Sequence, residues 1–320
     1  MPKSVAYGGV LLAAVLCGLP AATTTAAQAS PGAGGPDAAR PESVRIAGIV
    51  LKWLRMDKEA NCRRGEKMIR EAAAGGARIV VTTEGFLDGY MIEDCTIPLH
   101  VYRSLAERVP GGEYYDRLSA LAKELGVYLA VGLTEIDGEN TYNTAAMIGP
   151  DGNLIGKYRK EKIGFEALRN TAGEGAKVFD TEYGRIGPRI CYDRTFPEVV
   201  RRTCDAGADF VVFLSGGVFG PGNNRTIQAR ARENRRYMVF VHPAQFLVVA
   251  PDGSVVRDEV IGGRGEHPPE NWFRNEIFNC HSLARGMLIG TEQISTEVDK
   301  NGVVYFDLPL SRERPPAEQE

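Results

Sequence analysis

From residue 43 onward the chain alternates short apolar runs with longer amphipathic stretches. SVRIAGIVL (43–51) has the length and continuous apolar character of a buried strand. KEANCRRGEKMIREAAAGG (58–76) predicts a helix closed by Gly75-Gly76. ARIVVTT (77–83) reads as a β-branched strand that stops at Glu84. EYYDRLSALAKELG (113–126) is a second helix with a glycine stop, and VYLAVGLTEI (127–136) is a strand. YNTAAMIGPDGNLIGKYRK (142–160) predicts a hairpin around Pro150-Asp151-Gly152-Asn153. A second Pro-Asp-Gly turn at 251–253 separates FLVVA from SVV. Further helices are expected from Phe196 and through NNRTIQARARENRRY (223–237). GARIVVTTE (76–84) and GADFVVFLS (207–215) superpose without a gap, each a short strand after a helix with a polar residue at its C-terminal end. This pattern predicts an α/β (α+β) fold of two similar halves, with functional residues at strand ends.

The first 43 residues follow a different pattern. Lys3 precedes the apolar run VLLAAVLCGLPAA, which leads into TTTAAQAS. A basic start, a short apolar core and an A-x-A site describe a secretory signal over residues 1–29, cleaved after Ala29. The apolar run falls short of the roughly 20 residues that cross a bilayer, so no membrane span is expected. SPGAGGPDAARPES (30–43) has linker composition, leaving a domain at 44–310 and a flexible tail at 311–320. The expected location is secreted or periplasmic.

Composition narrows the function classes. A net charge of −3 over 320 residues gives no electrostatic footprint for nucleic acid. The arginines of 223–237 read as a solvated helix face with one or two turned inward. Removing Cys17 with the signal leaves five of the six cysteines, an odd number, so at least one thiol stays unpaired in an oxidising compartment. Cys62 with Cys95 is the expected disulfide, and Cys204 is expected as a core residue in a helix.

GPRICYDRTFPE (187–198) carries the candidate chemistry. Cys191 is either a buried filler closing a strand or a nucleophile presented at its end. Turn N–H groups and a following helix N-terminus favour thiolate there, and Asp193 and Arg194 are awkward neighbours for a purely structural cysteine. A histidine base is poorly supported, since His100, His242, His267 and His281 lie in no strong motif. Carboxylates are the other option: Glu84 ends an apolar strand, and Glu166 follows the hairpin-terminal Lys160.

TTEGFLDGY (82–90), GKYRKEKI (156–163), EALRNTAG (166–173) and GPRICYDRTFPE resemble, in order, the Glu, Lys and Cys motifs of the carbon–nitrogen hydrolase family, the nitrilase superfamily. The resemblance implies a four-layer α-β-β-α sandwich, Cys191 as nucleophile, Glu84 as general base and Lys160 as oxyanion donor. It implies Glu166 as the glutamate that holds the lysine and substrate, and the Tyr192 backbone N–H as second oxyanion donor. Arg194 matches a position that grips a substrate carboxylate in members acting on N-carbamoyl amino acids; a salt bridge to Asp193 or Glu198 is the alternative. Lys162 is a rival to Lys160. No cofactor and no metal are expected, the substrate is a small linear amide or N-carbamoyl compound, and a homodimer or larger homo-oligomer is anticipated. SGGVFGPGNN (215–224) is a loop expected to line the site, without the Gly-Lys-Ser/Thr of a phosphate cradle. The competing readings are a nitrilase and a non-catalytic exported binding protein.

Overall fold

The computed structural model describes residues 41–94, 97–217, 219–261 and 301–310. The signal segment 1–29, most of the linker 30–43, the tail 311–320 and residues Cys17, Cys95, His267, Cys280 and His281 lie outside the described residues. The first half of the chain supplies β1 (Ser43–Val50), α1 (Lys58–Ala74), β2 (Ile79–Val81), α2 (Leu99–Leu105), α3 (Glu113–Leu125), β3 (Tyr128–Asp137), β4 (Asn140–Ile148) and β5 (Leu154–Arg159). The second supplies β6 (Phe179–Thr181), β7 (Gly184–Ile190), α4 (Pro197–Asp205), β8 (Phe210–Leu214), α5 (Pro221–Asn234), β9 (Tyr237–His242), β10 (Gln245–Val249), β11 (Val255–Val260) and β12 (Gly302–Pro309).

The strands form two six-stranded sheets, ordered β12-β1-β2-β3-β4-β5 and β11-β10-β9-β8-β7-β6. Each has a parallel trio at its heart, β1-β2-β3 and β7-β8-β9, flanked by antiparallel strands. β2 and β8, from the two superposable segments, are the central strands of those trios. Buried on both faces, they read as unbroken apolar runs rather than as alternation.

Three apolar clusters separate four layers. One packs α1 and α3 on the first sheet, with Ile69, Leu118 and Val80. A second lies between the sheets, with Ile46, Val81, Ile190, Val212 and Phe246. The third packs α4 and α5 on the second sheet, with Val200, Ile227 and Phe213. The sheets approach so closely that a Cβ at Gly48 would lie 2.2 Å from the Phe246 ring. Local chemistry sets the ends: Asp57 accepts the Ala60 N–H at 2.9 Å to cap α1, and Gly126 closes α3 at φ +63°. Gly152 takes φ +82° in the β4–β5 turn. On α5, Arg230 is buried against Glu233 while Arg225, Arg232 and Arg235 face outward.

The expected Cys62–Cys95 disulfide is not formed. Cys62 is a free, buried thiol on the core face of α1, with Sγ 3.7 Å from Glu66 Oε1. Helical periodicity turns position 62 onto the sheet, where it packs as a small apolar residue. Cys204 is likewise free and buried in α4.

Candidate active site

The loops after β2, β5, β7 and β8 converge at one end of the sandwich. The chain leaves β2 through Thr82 and Thr83, and the Glu84 N–H reaches Ser215 O, just past β8, at 3.3 Å. Lys160 follows β5 with its backbone pinned: its N–H donates to Asn143 O and its carbonyl accepts from Gly173 N, both at 2.8 Å. The Lys160 ammonium donates to Glu84 Oε1 at 2.7 Å and also to Glu166 Oε1. Asn143 Nδ2 braces the same pair, 2.8 Å from Glu84 Oε1 and 3.1 Å from Glu166 Oε2. All four side chains are buried. Burial alone would push the Lys160 ammonium down, but the Glu84 and Glu166 charges outweigh it and hold its pKa well above the ordinary lysine value. Burial raises the Glu166 carboxyl; Lys160 pulls it back and the Glu84 charge pushes it further up. Glu84 Oε2 is buried with no hydrogen-bond partner among the described residues.

Cys191 opens a short 3-10 turn (Cys191–Thr195) at the end of β7, at φ +37°. A non-glycine residue in that region is strained by about 1–3 kcal/mol and persists only where its surroundings over-determine it. Asp193 does this. Its Oδ2 accepts from Ile190 N at 3.1 Å and from the Tyr158 hydroxyl at 2.7 Å, and its Oδ1 accepts from Lys162 N at 3.0 Å. One buried carboxylate thus ties the cysteine turn to the loop beyond Lys160. The Arg189 guanidinium, fully buried, stacks 4.4 Å over the Tyr158 ring and offsets the Asp193 charge.

Arg194 Nη1 lies 3.2 Å from Cys191 Sγ. Burial and then the Glu84 charge raise the thiol; Arg194, Lys160 and the Gly217 N–H act against that rise. The arrangement is a thiol beside a carboxylate that can take its proton, with two cations placed to hold the charge that follows.

Residues 44–260 match the carbon–nitrogen hydrolase family. The chain belongs to it. This carbon–nitrogen hydrolase is 35% identical to a nitrilase of Pyrococcus abyssi over 202 residues, 61% of this chain and 73% of that one. It is 35% identical to human omega-amidase NIT2 over 219 residues, 63% and 75% of the two chains. Among solved structures it resembles yeast Nit3 of the nitrilase superfamily, with TM-score 0.61 and 26% identity over 68% of this chain and 86% of that one. An amidase from Nesterenkonia shares the fold at TM-score 0.63 and 19% identity, covering 84% and 92%. The family makes carbon–nitrogen bond hydrolysis its chemistry, on the four-layer fold that the motifs implied.

The hydrolase gathers Glu84, Lys160, Glu166, Cys191 and Arg194 at one site, all buried. Lys162 is elsewhere: its Nζ sits 3.8 Å from Glu198 and 4.9 Å over the Phe196 ring. The Tyr192 ring turns outward, 46% exposed and edge-on to Phe196, so a role for Tyr192 in the site rests on its backbone N–H. Arg194 meets the sulfur rather than the alternatives set for it, since Asp193 is occupied by Ile190, Tyr158 and Lys162, and Glu198 faces Lys162. His100 is exposed. Among the described residues no group of three or more His, Cys, Asp and Glu side chains is placed to hold a metal ion.

Sequence reading missed Asn143, Tyr158, Asp193 as a bracket, and His242. Asn143 had a signal: a lone amide followed by the buried strand residues TAAMI has to satisfy its hydrogen bonds somewhere.

Proposed function

We propose that this enzyme hydrolyses a small linear amide through a thioester on Cys191. The supporting observation is the buried Lys160 ammonium bridging Glu84 and Glu166 beside the Cys191 thiol. Glu84 takes the thiol proton as Sγ attacks the amide carbon. The tetrahedral oxyanion meets the Lys160 ammonium and the Tyr192 N–H, donors of a kind worth about 3–4 kcal/mol each in a dry site. Collapse breaks the C–N bond, and Glu84 returns the proton to the departing nitrogen, releasing ammonia or an amine. The same carboxylate then deprotonates a water that cleaves the thioester, giving the acid and the free thiol. Arg194, hydrogen-bonded to the sulfur, shares the thiolate charge in the first step.

Similarity to omega-amidases supports a terminal amide as substrate. Arg194 supports an N-carbamoyl amino acid as the second reading, because its buried guanidinium lies 3.2 Å from the Cys191 sulfur, close to where a substrate carboxylate near the scissile bond would sit. Ammonia release by wild type and Cys191→Ala from a panel of simple amides, N-carbamoyl amino acids and nitriles tests the proposal. Release by wild type alone supports it, and release by the variant removes it. Preference for nitriles would favour the nitrilase reading. We also propose export and self-association; intact mass of the mature chain beginning at Ser30 and light scattering check them.

A further inference from the structure

We propose that His242 is a positioning residue for this reaction: its ring holds the Gly217 carbonyl, so that the Gly217 N–H stays turned toward the Cys191 sulfur and supports the charge that forms there. The inference rests on Cys191 being the nucleophile.

His242 ends β9 and is fully buried. Its tautomer follows from its partners. The Ala244 N–H donates to Nδ1 at 3.0 Å, so Nδ1 carries no hydrogen. Nε2 therefore carries it and donates to Gly217 O at 2.8 Å. Burial drives the ring's pKa down to about 3, and the Arg194 and Lys52 charges facing it oppose a further cation. Phe219 stacks on the imidazole at 4.7 Å and 29°, and Phe240 at 5.9 Å and 6°, which fixes the ring plane.

The residue so held has little stiffness of its own. Gly216-Gly217 is a glycine pair directly after Ser215, with wide backbone freedom. Gly217 nevertheless faces Cys191, and its N–H is among the groups whose influence counters the burial of the thiol. On the other side Tyr90 closes in: a Cβ at Gly216 would lie 2.7 Å from its ring. The loop is thus gripped between Tyr90 and His242. Without the imidazole donor the buried Gly217 carbonyl loses its partner, and the peptide can turn the N–H away from the sulfur.

Full-length His242→Leu and His242→Gln variants test this. The readouts are the pH dependence of Cys191 alkylation by iodoacetamide, the kcat and KM for the best amide, and Tm. In His242→Leu we expect the alkylation midpoint to move to higher pH and kcat to fall about 10- to 100-fold with KM within about threefold. Gln retains a donor, so His242→Gln should recover most of both. A folded Leu variant with the wild-type midpoint and kcat overturns the proposal, as does a Gln variant no better than Leu. A purely structural role would lower Tm without moving the midpoint. Should His242→Leu fail to fold, the wild type decides: nitrogen chemical shifts of His242 must show bare Nδ1 and protonated Nε2 between about pH 5 and 8. An imidazolium, or the opposite tautomer, overturns the proposal. Ammonia release by Cys191→Ala would instead sink the catalytic reading, and neither the thiol titration nor the tautomer depends on turnover.

Discussion

Cys62 and Cys191 are both buried thiols with a glutamate close by, yet their settings differ in what accompanies the burial. Cys62 sits inside α1 in ordinary helical backbone, its sulfur facing Glu66, and burial followed by the Glu66 charge pushes its pKa up to about 12. The nearby Arg117 forks onto Glu66 and Glu59 at the half-exposed rim of the helix, so solvent and two carboxylates absorb most of its field. Cys191 is equally enclosed, but Arg194 and Lys160 are enclosed with it, where screening is weak, and Arg194 touches the sulfur. Its backbone is held at φ +37°, which turns Sγ out of the strand direction. Enclosure raises a thiol in both places. Only cations and an N–H buried beside it make the thiolate accessible during a reaction.

The largest expected effect separates the two cysteines outright. Cys191→Ala should lower amide turnover at least about 10⁴-fold. Cys62→Ala should leave kcat within about twofold and cost about 1–2 kcal/mol in unfolding free energy by urea titration. Next, Lys160→Met removes the oxyanion cation and leaves two buried carboxylates facing each other. It should lower kcat about 10²- to 10³-fold. An equal loss in Lys162→Met would instead return the role to Lys162.

A smaller effect sharpens the electrostatic difference. Arg194→Leu should slow alkylation of Cys191 about tenfold at neutral pH and leave Cys62, measured in the same protein by mass, as sluggish as before. Similar loss at both thiols would mean that the change acts through global opening rather than at the sulfur. The smallest effect concerns stability and pH. Cys62 and Cys204 are held near 12 in the folded chain, by burial first, against 9.0 for an ordinary cysteine. Each keeps its proton when folded, so its contribution is complete below about pH 9 and is lost as pH rises through 12. Tm should fall over that window, and less steeply in a Cys62→Ala, Cys204→Ala double variant.

Legibility in the sequence followed the range of the interactions. The strands β1 to β5 and β8, the helices α1 and α3, the Pro-Asp-Gly turns and the similarity of the two halves depend on neighbours within a few residues, and these were readable. So was the candidate set Glu84, Lys160, Glu166 and Cys191, because each lies in a short motif, three of them just past strand ends and Glu166 in the 3-10 turn Gly164–Leu168. The Cys62–Cys95 pairing failed because cysteine parity carries no information about which face of a helix a residue takes. Lys160 and Lys162 differ by two positions, and only the hydrogen bonds that pin Lys160 between Asn143 and Gly173 send one inward and the other to Glu198. Asp193 read as a charge beside a cysteine, and its contact with Lys162 spans 31 residues of chain.

By itself, then, the sequence determined the alternation of elements, the turn positions, the family and the residue types of the chemistry, since these rest on local propensity, periodicity and contiguous motifs. The tertiary structure alone decided which lysine joins Glu84, where Arg194 points, that Asn143 and Asp193 bracket the site and that His242 grips Gly217. Those contacts join strand ends far apart in the chain, and their strength comes from a dry interior that exists only once the two sheets have closed on each other.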